Sequence, residues 1–510
     1  MRKGLSKIPA GFICIFISLF CMSAFAKDRV YQADVVVVGA GGSGLAASVS
    51  AAEHGAKVIT LEKREIAGGT TSFAEGLFAI GTDETRVASV DISVDDAFDH
   101  SMEFNHWRAN APLVRKFIQE SPNTINWLHG FGLTFEPWNM APTEPRVWHV
   151  VGHYKNMEHG AAYVQAMLDK CEELGVKIMY ETPATELIIE KGVIKGVIAQ
   201  DSRGNKVIVN AKAVVLATGG FSENNEIIAK YTRYEPGSVF PTVPLGKTGE
   251  GFKMALQAGA VLDDAGMLLM MHPGSYGPGF KPFGDLDTMT TQPLLWVNKY
   301  GERIIDDKMI GSLMVSANAI YRQDGHYVWS IWDEDTINYY KTKGLDTGLG
   351  VIVKAGTKIS NTVKEIEDCI KAGSKNVAMA DSLEELAKQM EMDPKSLKAT
   401  VDRYNKMKAD NEDVDFGTPA RLMKYIKKSK FYAVKVFPSS FISLGGPQIN
   451  TKMQVMTKNN KPVQGLYSVG CDAGGVHSDT YTLWTSGAGF SFAATSGRIA
   501  GADAADFAKK

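Results

Sequence analysis

A glycine turn between two apolar runs constrains the fold of this chain more than any other feature. Residues 34–38 are an aspartate and four valines, and residues 39–44 read Gly-Ala-Gly-Gly-Ser-Gly. A stretch of small residues follows at 45–55, and a second apolar run at 57–61 ends on Glu62. Strand, glycine turn, helix, strand and acid in this order are typical of a βαβ unit that binds a dinucleotide.

Each glycine of the turn has its own expected use. Gly39 permits the tight turn, Gly41 lets a pyrophosphate approach the backbone, and Gly44 lets the helix pack against the strand. The start of the helix then offers free N–H groups and a positive dipole end to the phosphates. Glu62, at the end of the second strand, is placed to accept hydrogen bonds from a ribose.

The first 26 residues are predicted to be a secretory signal peptide. Arg2, Lys3 and Lys7 form a basic start, residues 11–22 are almost wholly apolar, and residues 24–26 read Ala-Phe-Ala. The apolar stretch is short for a membrane span. We therefore expect an exported protein, periplasmic if the source has two membranes, with an uncleaved N-terminal anchor as the alternative.

Cysteine use and charge exclude several classes of protein. Beyond the leader only Cys171, Cys369 and Cys471 remain, which make neither a disulfide framework nor a metal site, and no haem-attachment motif occurs. Loss of the leader's three cations would lower the formal net charge from −2 to −5. We expect no metal, no nucleic-acid partner and no stable membrane insertion.

Further glycine segments extend the expected cofactor site. Residues 68–72 read Gly-Gly-Thr-Thr-Ser, a loop with several small donors directly after the second strand. An apolar run ends in a glycine pair at 212–220, and residues 465–472 repeat that pattern. Residues 486–489 then open a helix of small residues that offers a second helix N-terminus.

With these segments in place, the chain resembles the soluble FAD-dependent flavoproteins of the fumarate reductase and succinate dehydrogenase superfamily, without the haem domain of a flavocytochrome c. The resemblance rests on the glycine unit with Glu62 and on further segments in family order: 217–220, 248–260, His272-Pro273, 297–303 and 465–475.

The resemblance implies an α/β fold in which a Rossmann-like FAD-binding domain is split in sequence. Its two parts are expected at 27–269 and 439–510, with an inserted α+β capping domain at 270–438. Within that domain, two amphipathic helices are predicted between Leu383 and Met407, with Asp393 before Pro394 as a helix N-cap.

FAD is the cofactor that the resemblance implies. Some family members tether it through a histidine near the position of Thr70, but no histidine lies between His54 and His100 here, so we expect non-covalent binding. The residues expected to bind FAD are Gly39, Ala40, Gly41, Ser43, Gly44, Glu62, Lys63, Gly69, Thr70, Thr71, Ser72, Ala184, Ala217, Thr218, Gly219, Asp472, Ser486, Gly487 and Ala488.

The catalytic set of the fumarate-reducing members is incomplete in this chain. The position of the proton-donating arginine falls at or near Gly311, and residues 441–446 lack the family's second histidine. After His477 no clamp arginine follows where one is expected. Because paired arginines hold the carboxylates of a dicarboxylate, fumarate is not the expected substrate.

The remaining candidates for catalysis come from three segments. His272 matches the family's first histidine, and Tyr276 lies in the loop after it. Tyr481 and Asp479 lie where the family contacts substrate, and a well-placed tyrosine can protonate a carbanion. His477 completes the set, with ordering of its loop as the alternative role. The expected aromatic lining is Tyr276, Tyr481, Trp484, Phe441 and Trp296, of which Trp296 fits the core better.

Three functions remain open from the sequence. The first is an exported FAD-dependent reductase of an activated C=C bond, with electrons from a separate cytochrome or quinol-linked donor. The second is a dehydrogenase that introduces a C=C bond next to a carbonyl, as in ketosteroid-oxidising relatives. The third is a flavin-loaded binding or electron-relay protein. Arg303 is expected to be structural. Lys308 is expected to be exposed, with replacement of the missing proton donor as its alternative role.

Overall fold

The computed structural model of the chain describes residues 28–140, 144–263, 268–348, 350–351, 353–478 and 480–510. The predicted signal peptide and Asp479 lie outside these residues. The strands are β1 (Arg29–Gln32), β2 (Val35–Val38), β3 (Val58–Leu61), β4 (Gly76–Phe78), β5 (Phe135–Trp138), β6 (Trp148–Val151), β7 (Lys177–Met179), β8 (Ala184–Glu190), β9 (Val193–Gln200), β10 (Lys206–Asn210), β11 (Ala213–Leu216), β12 (Phe240–Pro241), β13 (Leu268–Gly274), β14 (Leu295–Val297), β15 (Val328–Asp333), β16 (Val377–Ala380), β17 (Phe431–Leu444), β18 (Gln454–Met456) and β19 (Pro462–Ser468).

Helices lie between these strands and close the chain. They are α1 (Gly42–Glu53), α2 (Asp83–Val87), α3 (Val94–Phe104), α4 (Ala111–His129), α5 (His159–Glu173), α6 (Asn225–Tyr231), α7 (Glu250–Gln257), α8 (Asp285–Met289), α9 (Leu313–Tyr321), α10 (Glu334–Thr342), α11 (Thr362–Lys371), α12 (Leu383–Gln389), α13 (Pro394–Asp410) and α14 (Ala488–Ala508). None of the helices in the described ranges is long and apolar enough to cross a membrane.

A central sheet joins the two ends of the chain. Its strand order is β18-β19-β11-β2-β3-β7, with β2 parallel to both β3 and β11. All four valines of β2 are buried, because a parallel sheet is covered on both faces. Helix α14 packs against α1, where a Cβ on Gly497 would lie 2.3 Å from the Ser43 carbonyl oxygen. The predicted α/β fold with a split binding domain is confirmed.

A second sheet forms the core of the inserted region. Its order is β12-β17-β15-β14, and β13 and β16 also pair with β17. Strand β17 runs without a break through the limit predicted at 438 and 439, so the long strand carries the chain from the inserted sheet back toward the central one.

The two helices predicted at 383–407 are present as α12 and α13. The Asp393 carboxylate accepts the Ser396 N–H at 2.9 Å and caps α13. Arg303 is buried and pairs with Asp307 at 3.0 Å and Asp413 at 2.9 Å, so it holds the inserted region together. Lys308 is exposed, as expected.

Candidate active site

A cavity of about 840 Å³ lies where β2 and β3 end and α1 begins. We call it the glycine-loop cavity. Most of the predicted cofactor residues line it. These are Gly39, Gly41, Ser43, Glu62, Lys63, Gly69, Thr70, Thr71, Ala184, Ala217, Thr218 and Gly219.

The glycines of the turn do what their spacing predicts. Gly39 has a φ of +105°, and a Cβ on Gly44 would lie 1.9 Å from the Gly39 carbonyl oxygen. Gly41, in contrast to Gly44, faces open space: a Cβ there would have only the Gly68 carbonyl oxygen within 4 Å, at 3.9 Å. A side chain on Gly41 would therefore extend into the cavity. Gly41 is also the N-cap of α1 and has no side-chain cap, which suits a phosphate at the helix start.

Glu62 closes the strand end of this cavity. One of its oxygens accepts the Ala40 N–H at 2.8 Å, and the other accepts the Arg64 N–H at 2.9 Å. A carboxylate has about four lone-pair sites, so both oxygens can still accept ribose hydroxyls. The two backbone bonds fix the direction in which Glu62 presents them.

Some predicted cofactor residues do not line this cavity. They are Ala40, Gly44, Ser72, Asp472, Ser486, Gly487 and Ala488. Asp472 accepts N–H bonds from Thr218 and, at 3.0 Å, from Gly220, together with the Thr218 hydroxyl at 3.0 Å. Burial raises the pKa of Asp472 to about 6. Its role in this geometry is to hold the 218–220 loop.

Two lysines, Lys63 and Lys247, also line the glycine-loop cavity, and only Lys63 was predicted from the sequence. The Lys63 ammonium pairs with Glu250 at 2.9 Å. The Lys247 ammonium donates to the carbonyl oxygens of Val243 at 3.0 Å and Phe441 at 2.8 Å, and burial lowers its pKa. The Thr-Gly-Glu-Gly segment at 248–251 marked this region in the sequence, but no sequence pattern pointed to Lys247.

A second cavity of about 1410 Å³ adjoins the first, and Thr70, Thr71, Cys471 and Ala493 line both. We call it the apolar cavity. Its wall comes from both sheets: Thr70, Thr71, Phe73, Ala74, Glu75, Gly76, Met140, Trp148, Met270, Met271, His272, Pro273, Phe283, Asp287, Thr290, Thr291, Leu313, Met314, Phe441, Ile442, Cys471, Tyr481, Leu483, Ser486, Gly487, Gly489, Phe490 and Ala493.

Among the described residues that line the apolar cavity there is no lysine and no arginine. Gly311, at the expected position of the proton-donating arginine, lies behind Thr291 and against Thr347. Methionine and aromatic side chains make up much of the wall. Such a surface holds an apolar molecule and has no cationic group to clamp a carboxylate.

His272 contributes its ring to the cavity wall and stacks on Phe441 at 4.7 Å. Its Nδ1 faces the Pro273 carbonyl oxygen at 2.8 Å, which can only accept, so Nδ1 carries the proton. Its Nε2 lies 2.5 Å from the Thr242 hydroxyl and accepts from it. Burial lowers the pKa of His272 to about 4, so the ring is neutral and both nitrogens are engaged.

Tyr481 lines the apolar cavity with its hydroxyl at the start of α14. The Gly489 N–H donates to the phenol oxygen at 3.2 Å. Burial raises the pKa of Tyr481 to about 12, opposed by the N–H groups of Gly489 and Ala488. The phenol keeps its proton at neutral pH, and the same N–H groups would stabilise a phenolate.

His477 and Tyr276 do not line the apolar cavity. His477 lies behind Tyr481, with ring centroids 5.0 Å apart, and burial lowers its pKa to about 4. Tyr276 stacks on Phe240 at 4.6 Å, and burial raises its pKa. Asp479 lies outside the described residues.

The expected aromatic lining is present in part. Phe441 and Tyr481 line the apolar cavity, Trp484 stacks on His100 at 4.4 Å, and Trp296 is fully buried in the core. Four further aromatic side chains line the cavity, and no sequence pattern pointed to them: Phe73, Trp148, Phe283 and Phe490.

A glycine-loop cavity that can bind phosphates, next to an apolar cavity that can hold a substrate, is typical of a dinucleotide-dependent oxidoreductase. A family profile described as "FAD binding domain" matches residues 34–481. The chain belongs to this family of FAD-binding oxidoreductases, and FAD is its cofactor.

Individual relatives agree with this assignment. The chain is 32% identical to a vinyl phenol reductase of Lactiplantibacillus plantarum, over 94% of this chain and 98% of the relative. It is 29% identical to a fumarate reductase (cytochrome) of Shewanella frigidimarina, over 96% of this chain and 80% of the relative. The solved open conformation of a flavocytochrome c3 fumarate reductase is 26% identical, with a TM-score of 0.74 and coverage of 94% and 79%.

Proposed function

We propose that this protein reduces an activated C=C bond of an apolar organic acceptor other than fumarate. The observation that carries this proposal is the apolar cavity beside the glycine-loop cavity, whose described lining includes no lysine or arginine. The similarity to a vinyl phenol reductase supports an acceptor of this kind.

The chemistry needs a hydride on one alkene carbon and a proton on its neighbour. Reduced FAD, when bound, supplies the hydride. Gly39, Gly41 and Glu62 hold the dinucleotide end, and the Thr70–Thr71 segment lines the passage between the two cavities. Two electrons and two hydrogens are added in all, so the alkene becomes an alkane.

The proton comes from Tyr481 in this proposal. Its hydroxyl is the neutral, cavity-lining donor with backbone N–H groups placed to stabilise its phenolate. His272 is unsuited to the task, because its one ring proton is bound to the Pro273 carbonyl oxygen. Its part is to form the wall against which the acceptor lies.

The test is oxidation of reduced viologen by the FAD-loaded protein with a panel of alkenes. The panel contains 4-vinylphenol, a steroid enone, methacrylate, urocanate, a cinnamate and fumarate. We expect turnover with 4-vinylphenol or another apolar alkene and none with fumarate. Turnover with fumarate alone would refute the proposal.

Dehydrogenation is the second candidate, favoured by the size of the apolar cavity and by the tyrosine in its wall. The phenol and the Gly489 N–H could polarise a ketone that enters there. Dye reduction by a saturated ketone, with every alkene inert, would establish this direction instead.

We further propose that the protein is exported and receives electrons from a separate cytochrome or quinol-linked donor. The basic, apolar and Ala-Phe-Ala segments of residues 1–26 support export. Cell fractionation tests the location, with recovery only in the cytoplasm as the contrary result. Affinity capture under reducing conditions tests the donor, and repeated capture without any redox protein would count against it.

Non-covalent FAD binding is part of the same proposal. The loop at 68–72 contains no histidine, and Thr70 stands near the tethering position. Acid precipitation should leave the yellow colour in the supernatant, whereas a yellow pellet would show a covalent bond.

A further inference from the structure

We propose that Glu75 is the specificity-determining residue of the apolar cavity, where its carboxylate turns away acceptors that carry a carboxylate and admits uncharged ones. This inference rests on the proposed function and names the class of substrate that the same site accepts. Neither the sequence motifs nor the catalytic candidates had pointed to Glu75.

The backbone around Glu75 is fixed on both sides. Its carbonyl oxygen accepts the Val151 N–H at 2.9 Å, and the preceding carbonyl, of Ala74, accepts the Gly160 N–H at 2.7 Å. Gly76 follows in β4, so close to β6 that a Cβ there would lie 2.4 Å from the His149 carbonyl oxygen. Glu75 lines the apolar cavity, and these backbone contacts keep it from moving out of the cavity wall.

Glu75 differs from Asp287, the other carboxylate of the cavity. Asp287 accepts the Phe283 N–H at 3.0 Å and so organises its own loop. Within the described part of the chain, the Glu75 carboxylate has no salt bridge and no hydrogen bond to another residue, and only its own N–H lies against it. A carboxylate without a cation in an apolar wall meets the ligand directly, and like charges placed together in such a site are strongly unfavourable.

The charge of Glu75 can be varied by pH without a mutation. Burial raises the pKa of Glu75 to about 7, opposed by its own N–H, so the carboxyl group is mostly protonated at pH 6 and mostly ionised at pH 8. Four other titratable groups line the cavity. Asp287 has a pKa raised to about 6, His272 one lowered to about 4, and Cys471 and Tyr481 have values near 12.

The experiment measures binding with two ligands of similar shape that have no vinyl C=C bond to reduce, 4-ethylphenol and ionised 4-ethylbenzoic acid. Binding is followed by the change in visible absorbance of the FAD-loaded protein, so no turnover is needed. The same titrations are made with Glu75→Gln, which keeps the shape and removes the charge, and with Glu75→Met as a second variant. Circular dichroism verifies that each variant is folded.

We expect the preference of the native protein for 4-ethylphenol to be about tenfold smaller at pH 6 than at pH 8. Glu75→Gln should show the smaller preference at both pH values. The cost of removing the ligand's carboxylate from water is the same in both proteins, so the difference isolates Glu75. Any pH dependence that remains in the variant belongs to Asp287.

The outcomes separate the two proposals. An unchanged preference in Glu75→Gln, and no change between pH 6 and pH 8 in the native protein, would refute the role of Glu75 while leaving the proposed function intact. If neither ligand altered the absorbance of the native protein, the proposed class of acceptor would be wrong. If both variants fail to fold, the pH comparison is made with Asp287→Asn, whose amide oxygen can still accept the Phe283 N–H, so that a change between pH 6 and pH 8 belongs to Glu75 and its absence refutes the role of Glu75.

Discussion

The glycine-loop cavity and the apolar cavity share Thr70 and Thr71, yet they are built differently. The first owes its shape to close backbone contacts, such as that between Gly44 and the Gly39 carbonyl oxygen. The second is walled by side chains from distant segments, such as Met140, Met314 and Phe441. Backbone geometry tolerates little change, whereas a wall of side chains can be exchanged without loss of the fold. We therefore expect substitutions around the first cavity to disturb the fold or FAD binding, and substitutions in the wall of the second to change which acceptor binds.

The largest effect is expected from a matched pair of glycine substitutions. In Gly44→Val the new Cβ clashes with the Gly39 carbonyl oxygen, which should lower the free energy of unfolding by about 3 kcal/mol or more. In Gly41→Val the new side chain points into open space, and the backbone there is already extended, with φ −78° and ψ −174°. It should keep the fold and lose FAD. Thermal unfolding and FAD titration measure the two quantities.

Equal destabilisation by both variants would break this comparison, because it would mean that Gly41 serves the fold and not the cofactor. Normal FAD affinity in a folded Gly41→Val variant would show that the pyrophosphate lies elsewhere.

Tyr481→Phe should lower kcat for the alkene by about 10²- to 10⁴-fold, the usual contribution of a positioned acid. The shape of the wall is kept, so KM should change little. Reduction of the bound FAD by dithionite serves as the control and should be unaffected. Turnover at the native rate would remove Tyr481 from the proton-transfer step.

Glu62→Gln should weaken FAD binding by about 10- to 150-fold, because a hydrogen bond to a charged group contributes about 1.5–3 kcal/mol. Gln can still accept from one of the two N–H groups of Ala40 and Arg64. Equilibrium dialysis of FAD gives the constant. An unchanged ligand preference in the apolar cavity is the companion result, and a changed one would show that the two cavities are coupled.

The smallest effect is expected far from both cavities. Asp393→Ala removes the cap of α13 and should cost about 1 kcal/mol of stability. Urea unfolding measures this cost. FAD affinity and kcat should stay at their native values, and a loss of either would mean that the inserted region transmits strain to the site.

The predicted cofactor residues lie together in one cavity more often than the predicted catalytic residues do, and this has a physical reason. The βαβ unit places strand, turn and helix within thirty residues, so local spacing nearly defines its geometry. Asp472 lies far along the chain from this unit. The sequence predicts that it binds FAD, and in the structure its carboxylate accepts hydrogen bonds from the 218–220 loop, a contact that depends on which way a buried side chain points.

The predicted catalytic residues do not all lie in one cavity, because their positions depend on segments that are distant in sequence. His272 and Tyr481 line the apolar cavity, but His477 lies behind Tyr481 and Tyr276 faces Phe240. Glu75 follows a loop that the sequence assigned to FAD, and only the pairing of β4 with β6 brings it into the apolar wall. No spacing rule in the sequence carries that information.

The sequence by itself determined the dinucleotide-binding turn, because glycine spacing is a local property. Its resemblance to a known family implied FAD and showed which of the family's arginines are missing. Tertiary structure alone decided that His272 is neutral with both nitrogens engaged, that Lys247 is buried, and that Glu75 shares a cavity with Tyr481. Burial and side-chain direction arise only when distant segments pack together, because protonation and contact depend on what surrounds a group.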